Sequence, residues 1–298
     1  MTHTAIELDR LTKTYGTRRG LADLSLQVRA GEVVGYLGPN GAGKSTTIRL
    51  LLDLIRPTSG TARVLGLDPR ADAVALHRRI GYLAGDFAVD GRQRAGECLA
   101  FLGGLRGGVP AARITGLADR LELDLGARIR SLSKGNRQKV GLVQAFMHEP
   151  ELLILDEPTS GLDPLVQQTF LDMVAEARAD GQTVFMSSHI MSEVEAVADR
   201  VAIIREGRLV ALDTVADLRA RSYLKVRITF AAPVPAAEFA GLPGVADLAV
   251  AGTVLTCRVD GAPDALVKAA ARHTVTGLRA DGQDLEELFH AYYTGHAA

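Results

Sequence analysis

The residues with the clearest chemical meaning form a glycine-rich segment near the start of the chain. Residues 38–45 have the sequence GPNGAGKS, which fits GxxxxGK followed by Ser or Thr, after an apolar segment and before a helical pattern. Glycines let backbone N–H groups turn toward phosphate oxygens, and a helix N-terminus adds favourable partial charge. Lys44 would contact the terminal phosphates, and the Ser45 hydroxyl would ligate Mg²⁺. The alternative, a glycine-rich turn with an exposed lysine, is disfavoured by the complete spacing and context. The expected phosphate-binding residues are Gly38, Pro39, Asn40, Gly41, Ala42, Gly43, Lys44, Ser45 and Thr46.

Two adjacent carboxylates provide the second chemical signal. Asp156 and Glu157 follow the apolar segment 152–155, so they would lie at the carboxyl edge of a sheet, where open α/β folds bind ligands. We expect Asp156 to hold Mg²⁺ and Glu157 to polarise the attacking water, a role worth about 10²–10⁴ in rate. Alone, such a pair could equally mark a solvated strand end.

His189 is a candidate to position that water, because it follows another apolar segment, 183–187. A single histidine at a strand end is more often structural, so its predicted role depends on the carboxylates and the glycine-rich segment.

These residues require an α/β architecture that brings strand ends together. Residues 33–37, 152–155 and 183–186 have the apolar character of buried strands, and the helical pattern at 164–179 supplies the crossover that parallel strands need. Residues from about 88 to 150 are mainly helical in pattern and predict a helical subdomain. Period-two alternation before residue 33 predicts an antiparallel β region. The fold class is therefore α/β with a mixed-sheet core.

The character of the chain changes near Arg221. Residues 224–230 alternate as an amphipathic strand, two more strands flank the turn at Gly252, and a helix is expected over 264–272. A final helix would open at Asp284. We therefore predict a large domain over residues 1–221 and a small α+β domain over residues 222–298.

Composition excludes several classes of function. The 34 basic and 35 acidic residues leave no charge excess to attract nucleic acid or an anionic membrane surface. Cys98 and Cys257 lack partners at metal-ligand spacing, which is typical of a reducing compartment. We find neither a secretory signal nor a membrane-spanning segment, so we expect a cytoplasmic location.

The order of the motifs over residues 4–220 resembles that of the ATP-binding domains of ABC transporters. The resemblance implies a P-loop NTPase fold of ABC type, with ATP and Mg²⁺ as cofactors and the chemistry of an ATPase. Tyr15 would stack on adenine; otherwise it is an ordinary core or surface aromatic. The motifs are Tyr15, residues 38–45, the segment LSKGN at 132–136, Asp156-Glu157, Ser160-Gly161-Leu162-Asp163 and His189.

The segment 132–136 is similar to the signature usually written LSGGQ, which in this family acts on ATP bound to a second subunit. Its expected residues in this chain are Ser133, Lys134, Gly135 and Asn136, while Ser160, Gly161, Leu162 and Asp163 would lie at the same dimer seam. The resemblance therefore implies a dimer, with an identical chain as the expected partner. One departure is Gly85, at the position where the family has a glutamine that contacts Mg²⁺, so Asp86 or water would substitute.

The sequence LSKGNRQK at 132–139 and the tail DLEELF at 284–289 resemble one branch in particular. That branch contains the ATP-binding subunits of bacterial drug- and antibiotic-resistance exporters, which work with a separate multi-span permease at the inner face of the cell membrane. Two alternatives stay open: a soluble ABC ATPase that acts on nucleic acid or ribosomes, and a regulatory module that binds ATP without turnover.

Overall fold

The computed structural model describes residues 3–87, 89, 91–220 and 223–282. It divides the chain into two compact units after Asp213. The boundary predicted near Arg221 and the helix predicted to open at Asp284 both lie outside the described residues. The large-domain and small-domain limits therefore stay predictions.

The first unit alternates strands and helices along most of its length. Its elements are β1 (Thr4–Tyr15), β2 (Arg18–Arg29), β3 (Val33–Leu37), α1 (Lys44–Leu51), β4 (Ser59–Val64), α2 (Ala73–Arg78), β5 (Ile80–Leu83), α3 (Ala95–Leu105), α4 (Ala111–Arg120), α5 (Lys134–Phe146), β6 (Leu152–Asp156), α6 (Pro164–Ala179), β7 (Thr183–Ser188), α7 (Met191–Val197), β8 (Arg200–Arg205) and β9 (Arg208–Thr214).

A six-stranded sheet in the order β5-β6-β7-β3-β8-β9 forms the centre of this unit. β5, β6, β7, β3 and β8 pair in parallel, and every residue of β3, β6 and β7 is buried, as expected for a parallel sheet covered on both faces. β9 returns beside β8 through Glu206-Gly207, which both have positive φ, as a tight hairpin turn requires. The carboxyl ends of β3, β6 and β7 consequently meet at one edge.

A second, antiparallel sheet in the order β2-β1-β4 packs into the same core. Its inward residues, such as Leu11 and Leu24, are fully buried in one apolar cluster with Tyr36 of β3 and Ile48 of α1. Burying side chains of this size contributes about 1.5–3 kcal/mol each. The cluster therefore fixes α1 between the two sheets.

The helices α3, α4 and α5 form the predicted helical subdomain. In α4, Ile114, Leu117 and Ala118 are buried at helical spacing. Ser133 caps α5 by accepting a hydrogen bond from the backbone N–H of Asn136 at 3.2 Å. This cap places the signature segment at the start of a helix, as the sequence predicts.

The second unit contains the helix α8 (Val215–Ala220) and a four-stranded antiparallel sheet. The sheet is made of β10 (Tyr223–Phe230), β11 (Val245–Ala251), β12 (Val254–Asp260) and β13 (Val275–Gly282), and α9 (Asp264–Ala270) connects the last two. The strand order β11-β12-β10-β13 is that of a split β-α-β, ferredoxin-like arrangement, with the short 3₁₀ turn Ala236–Glu238 in place of the first helix. One face of the sheet is apolar and packs on α9, through Ile228, Phe230 and Leu266 among others.

Candidate nucleotide site

The glycine-rich segment forms a tight turn between β3 and α1. Gly41 and Gly43 have φ values of 82° and 113°, which favour glycine. A Cβ on Gly43 would also lie 2.8 Å from Leu21 Cδ2 and 2.9 Å from the Gly20 carbonyl oxygen, so a side chain does not fit there. The turn leaves the N-terminus of α1 open to a cavity of about 380 Å³. The cavity is lined by Tyr15, Gly20, Pro39, Asn40, Gly41, Gly43, Lys44, Ser45, Thr46, Arg49 and Glu157.

Lys44 is the buried cation of this site, with only 5% of its side chain exposed. Its ammonium donates to the carbonyl oxygens of Gly38 at 2.6 Å and Pro39 at 3.4 Å. It also lies 3.3 Å from the Glu157 carboxylate. A buried charge must be paired to be tolerated, and phosphate oxygens are stronger acceptors for an ammonium than carbonyls are. Lys44 is therefore positioned to bind phosphate.

The two carboxylates lie at the end of β6 and are held by the neighbouring strand β7. Ser187 donates its hydroxyl to Asp156 Oδ1 at 2.6 Å and accepts from the Glu157 backbone N–H at 3.0 Å. The chain turns at Glu157, where φ is 47°, and the Glu157 side chain lines the cavity, whereas Asp156 is not among the described residues that line it. His189 lies half-exposed, with Nδ1 3.5 Å from Glu157 Oε1.

The residues predicted to bind Mg²⁺ offer the oxygen donors that this ion prefers. Ser45 lines the cavity, and Asp156 is buried at the end of β6. A Cβ on Gly85 would lie 3.4 Å from Asp156 Oδ2, so Gly85 lies beside the carboxylate that is predicted to hold Mg²⁺. Within the described ranges, no cluster of three or more His, Cys, Asp and Glu side chains could hold a metal alone. The donor set fits an ion held largely by nucleotide phosphates and water.

Tyr15 lies at the rim of the cavity, 45% exposed, with the Lys13 ammonium 5.2 Å from the centre of its ring. The ring edge at Cε2 lies beside Gly20, since a Cβ on Gly20 would be 2.9 Å from Tyr15 Cε2. An exposed aromatic ring that is held in place beside a phosphate site can stack on a planar base.

The signature segment lies outside this cavity, in contact with the loop that follows β6. Lys134 donates to the Ser160 hydroxyl at 3.0 Å, and a Cβ on Gly135 would lie only 2.3 Å from the Gly161 carbonyl oxygen. None of Ser133, Lys134, Gly135 and Asn136 is among the described residues that line the cavity. The structure thus joins Ser133–Asn136 to Ser160–Asp163 but brings neither group to the phosphate site of the same chain.

Sequence reasoning missed four residues that complete the site: Gly20, Arg49, Gln138 and Ser187. Gln138 donates to the carbonyl oxygens of Glu157 at 3.2 Å and Pro158 at 3.3 Å. Arg49 lies four residues after Ser45 on α1, a spacing that could have indicated a shared helix face. Ser187 is the cross-strand partner of Asp156, which only the strand order reveals.

Comparisons with known proteins agree with this geometry. A family model described as ABC transporter matches residues 21–160. The probable multidrug ABC transporter ATP-binding protein YbhF of Escherichia coli (strain K12) is 37% identical over 224 residues, which cover 74% of this chain but only 39% of YbhF. The bacitracin transport ATP-binding protein BcrA of Enterococcus faecalis is 35% identical over 220 residues, covering 73% of this chain and 71% of BcrA. A solved ATP-binding subunit of an ABC transporter superposes with a TM-score of 0.67 at 32% identity, covering 72% of this chain and 92% of that one.

The fold and the site define an ATP-binding cassette. The chain belongs to the ABC transporter family, among its ATP-binding proteins. The predictions of the family, of the α/β fold class and of ATP as the bound nucleotide are confirmed. In the part of the chain that the structure describes, no helix has both the length and the apolar character needed to cross a bilayer.

Proposed function

We propose that the chain is the ATP-hydrolysing subunit of an ABC exporter, in which two such chains drive a separate multi-span permease. The observation that carries the proposal is the contact of Lys44, Glu157 and His189 at one edge of the nucleotide cavity. A phosphate-binding cation, a general base and a group that orients water are the parts that phosphoryl transfer requires.

In the proposed reaction, the Glu157 carboxylate accepts a proton from the water that attacks the γ-phosphate. Lys44 neutralises charge on the phosphate oxygens, and His189 holds the water or a γ-phosphate oxygen in place. Mg²⁺, when bound by Ser45 and Asp156, supplies further neutralisation of the phosphate charge. Tyr15 positions the adenine end of ATP at the rim of the cavity.

The position of the signature segment favours action in a pair of chains. Because Ser133–Asn136 lies outside the phosphate cavity of its own chain, its hydroxyl and its helix N-terminus are available to a nucleotide bound elsewhere. A second copy facing the cavity would supply these groups, with Ser160–Asp163 at the same seam. ATP would then stabilise the closed pair by its differential affinity.

An exposed apolar region of the first unit supports the proposed membrane partner. A cavity of about 220 Å³ is lined by Leu54, Tyr82 and Arg106, among others. Leu105, beside Arg106, and Phe101, one turn earlier on α3, are 67% and 59% exposed. Exposed apolar side chains clustered around a concavity are typical of protein interfaces. We propose that a helix of the permease docks there, which would place the chain at the inner face of the cell membrane.

Drug-like compounds are the proposed cargo. Two relatives are named for multidrug and bacitracin transport, and the balanced charge of this chain argues against nucleic acid as the partner.

Glu157→Gln tests the catalytic and dimer parts of the proposal together. The amide cannot accept the proton, so we expect hydrolysis to fall by about 10²–10⁴ while ATP binding persists. Light scattering should then detect a dimer at saturating Mg²⁺ and ATP. Glu7→Gln, at an exposed position of β1, is the matched control and should behave as the wild type. A monomer under these conditions would contradict the dimer, and negligible hydrolysis by the wild type would favour the regulatory module.

Purification of the tagged chain from detergent-solubilised membranes of its source cells tests the exporter part. We expect a multi-span protein in stoichiometric amount, identified by mass spectrometry. Recovery only in the soluble fraction, alone or with ribosomes, would leave an ATPase without a transport role.

A further inference from the structure

The second unit has an open sheet face that carries an unusual arrangement of charge. The apolar face packs on α9, whereas the opposite face presents alternate residues of β10, β12 and β13. Arg227 of β10 is the direct cross-strand partner of Arg279 on β13, and Lys225 is the partner of Arg258 on β12. Two like-charged pairs thus lie in adjacent rows of the same face.

Like charges directly opposite each other destabilise an antiparallel pair. Asp281 on β13 lies opposite Lys225 on its other side, but Arg227 has no acidic cross-strand partner in the described strands. The two like-charged pairs therefore oppose folding, and an anion bound across the rows would relieve the repulsion. The two like-charged pairs are therefore better explained by a role in binding an anion than by a role in folding.

Acidic residues balance only part of the positive charge. Arg258 lies 3.6 Å from Asp247 and 3.3 Å from Asp260, and Arg279 lies 2.6 Å from Asp281. Arg227 is exposed and has no ion-pair or hydrogen-bond partner among the described residues. Its other cross-strand neighbour is Thr256, whose hydroxyl could also bind an anion.

One nitrogen of Arg258 lacks a hydrogen-bond acceptor among the described residues, which is independent evidence for a bound anion. Its guanidinium lies over the Tyr223 ring, 5.0 Å from the ring centre, and its two acidic neighbours contact only the terminal nitrogens. The Nε donor is buried and has no hydrogen-bond partner in the part of the chain that the structure describes. Buried donors without partners are rare in folded proteins and call for a ligand or an ordered water.

The same residues enclose a cavity of about 430 Å³, which lies within the range of small-molecule sites. Four basic and two acidic side chains line it, so its net charge is positive. The acidic residues Asp247 and Asp281 stand on the two outer strands. An extended polyanion crossing the whole sheet would meet both carboxylates, whereas a compact anion at the centre would avoid them.

We propose that this open face is a binding site for a small molecule that carries a carboxylate or phosphate group. Arg227 and Arg258 donate to the anionic group, and the Tyr223 ring forms one apolar wall of the site. Charge-assisted hydrogen bonds from arginine suit both carboxylate and phosphate.

Isothermal titration of the full chain with citrate, and separately with inorganic phosphate, tests the proposal. A non-hydrolysable ATP analogue with Mg²⁺ is kept saturating, so that the nucleotide cavity, including the position of the terminal phosphate, is occupied. At least one of the two anions should bind with one site per chain, and Arg227→Gln should weaken that binding by about tenfold or more. Arg272→Gln, which removes an exposed arginine of the same unit outside the cavity, should bind as the wild type does.

Thermal unfolding separates loss of the site from loss of the fold. Because Arg227→Gln removes a like-charge contact, its melting temperature should equal or exceed that of the wild type. Equal affinity of Arg227→Gln and wild type, or no binding of either anion at millimolar concentration, would overturn the proposal. Tighter binding of a polyglutamate peptide that displaces both anions would also overturn it, in favour of an acidic protein segment.

Discussion

At the residue scale, we expect Lys44 to contribute a large share of the free energy of nucleotide binding. An ammonium that is almost fully buried is tolerated because two carbonyl oxygens and the Glu157 carboxylate surround it. These acceptors also fix its direction, so that little rotamer freedom remains to be lost when phosphate binds.

Lys44→Ala should therefore abolish most nucleotide affinity. Removing one partner of a buried charge pair costs about 2–5 kcal/mol, so we expect ATP to bind at least about 30-fold more weakly. Titration with a fluorescent ATP analogue measures this, and Lys268→Ala, at an exposed lysine of α9, serves as the control. Unchanged affinity would show that the glycine-rich turn is not the phosphate site.

Single residues were predictable from sequence where local rules fix their position. The glycine-rich turn and the acids at the end of β6 need only a strand followed by a turn, and both lie as that rule requires. The contact of Gln138 with the Glu157 carbonyl and the pairing of Ser187 with Asp156 depend on which strands and helices are neighbours. No local pattern in the sequence contains that information.

At the scale of elements, Arg106 at the end of α3 links the start of β5 to His148, which follows α5, through a partly buried polar contact. Arg106 donates to the carbonyl of His77 at 3.0 Å and to His148 Nε2 at 2.8 Å. Burial and the neighbouring Arg106 guanidinium lower the pKa of His148 to about 4. His148 is therefore neutral at pH 7 and accepts from arginine.

This contact should make stability depend on pH. Histidine in the unfolded chain has a pKa of about 6.5, so below that pH the unfolded state binds a proton that the folded state does not. The free energy of unfolding should fall as the pH is lowered from about 6.5 toward 4.

Urea unfolding at pH 7 and pH 5 measures the effect. His148→Gln cannot titrate, so its stability should change less between the two pH values than that of the wild type. Equal changes in the two proteins would show that His148 does not carry the pH dependence.

Elements were predictable where start and stop signals are strong. α6 runs over Pro164–Ala179 as expected, because Asp163 caps it and Pro164 occupies its first turn. The helical pattern after the glycine-rich segment forms α1, Lys44–Leu51, which ends before Asp53, where φ is 53°. Because the apolar pattern continues past this end, periodicity alone does not fix it.

At the scale of the whole molecule, the two units have separate apolar clusters. The alternation in residues 224–230 predicted the second sheet, but its strand order β11-β12-β10-β13 depends on long-range pairing that alternation does not encode. The first unit was predictable as a whole because its motifs resemble a known family in their order.

Deletion of residues 214–298 tests the independence of the units. Because every described residue that lines the nucleotide cavity precedes Asp213, we expect ATP affinity to stay within about twofold of that of the full chain, as for distant independent sites. Dimerisation at saturating ATP, or recovery of the membrane partner, should change. Loss of ATP binding would contradict the division, provided circular dichroism shows that the shortened chain is folded.

The close packing of Gly135 on Gly161 has a consequence for the timing of catalysis. Without room for a Cβ, the start of α5 and the loop after β6 must move together, and Gln138 in the same helix is bonded to the backbone of Glu157. In a pair of chains, the segment that touches one nucleotide would thus be rigidly joined to the general base acting on the other. Loss of phosphate from one site would then alter the reactivity of its twin, so turnover would be cooperative in ATP rather than the sum of two independent reactions.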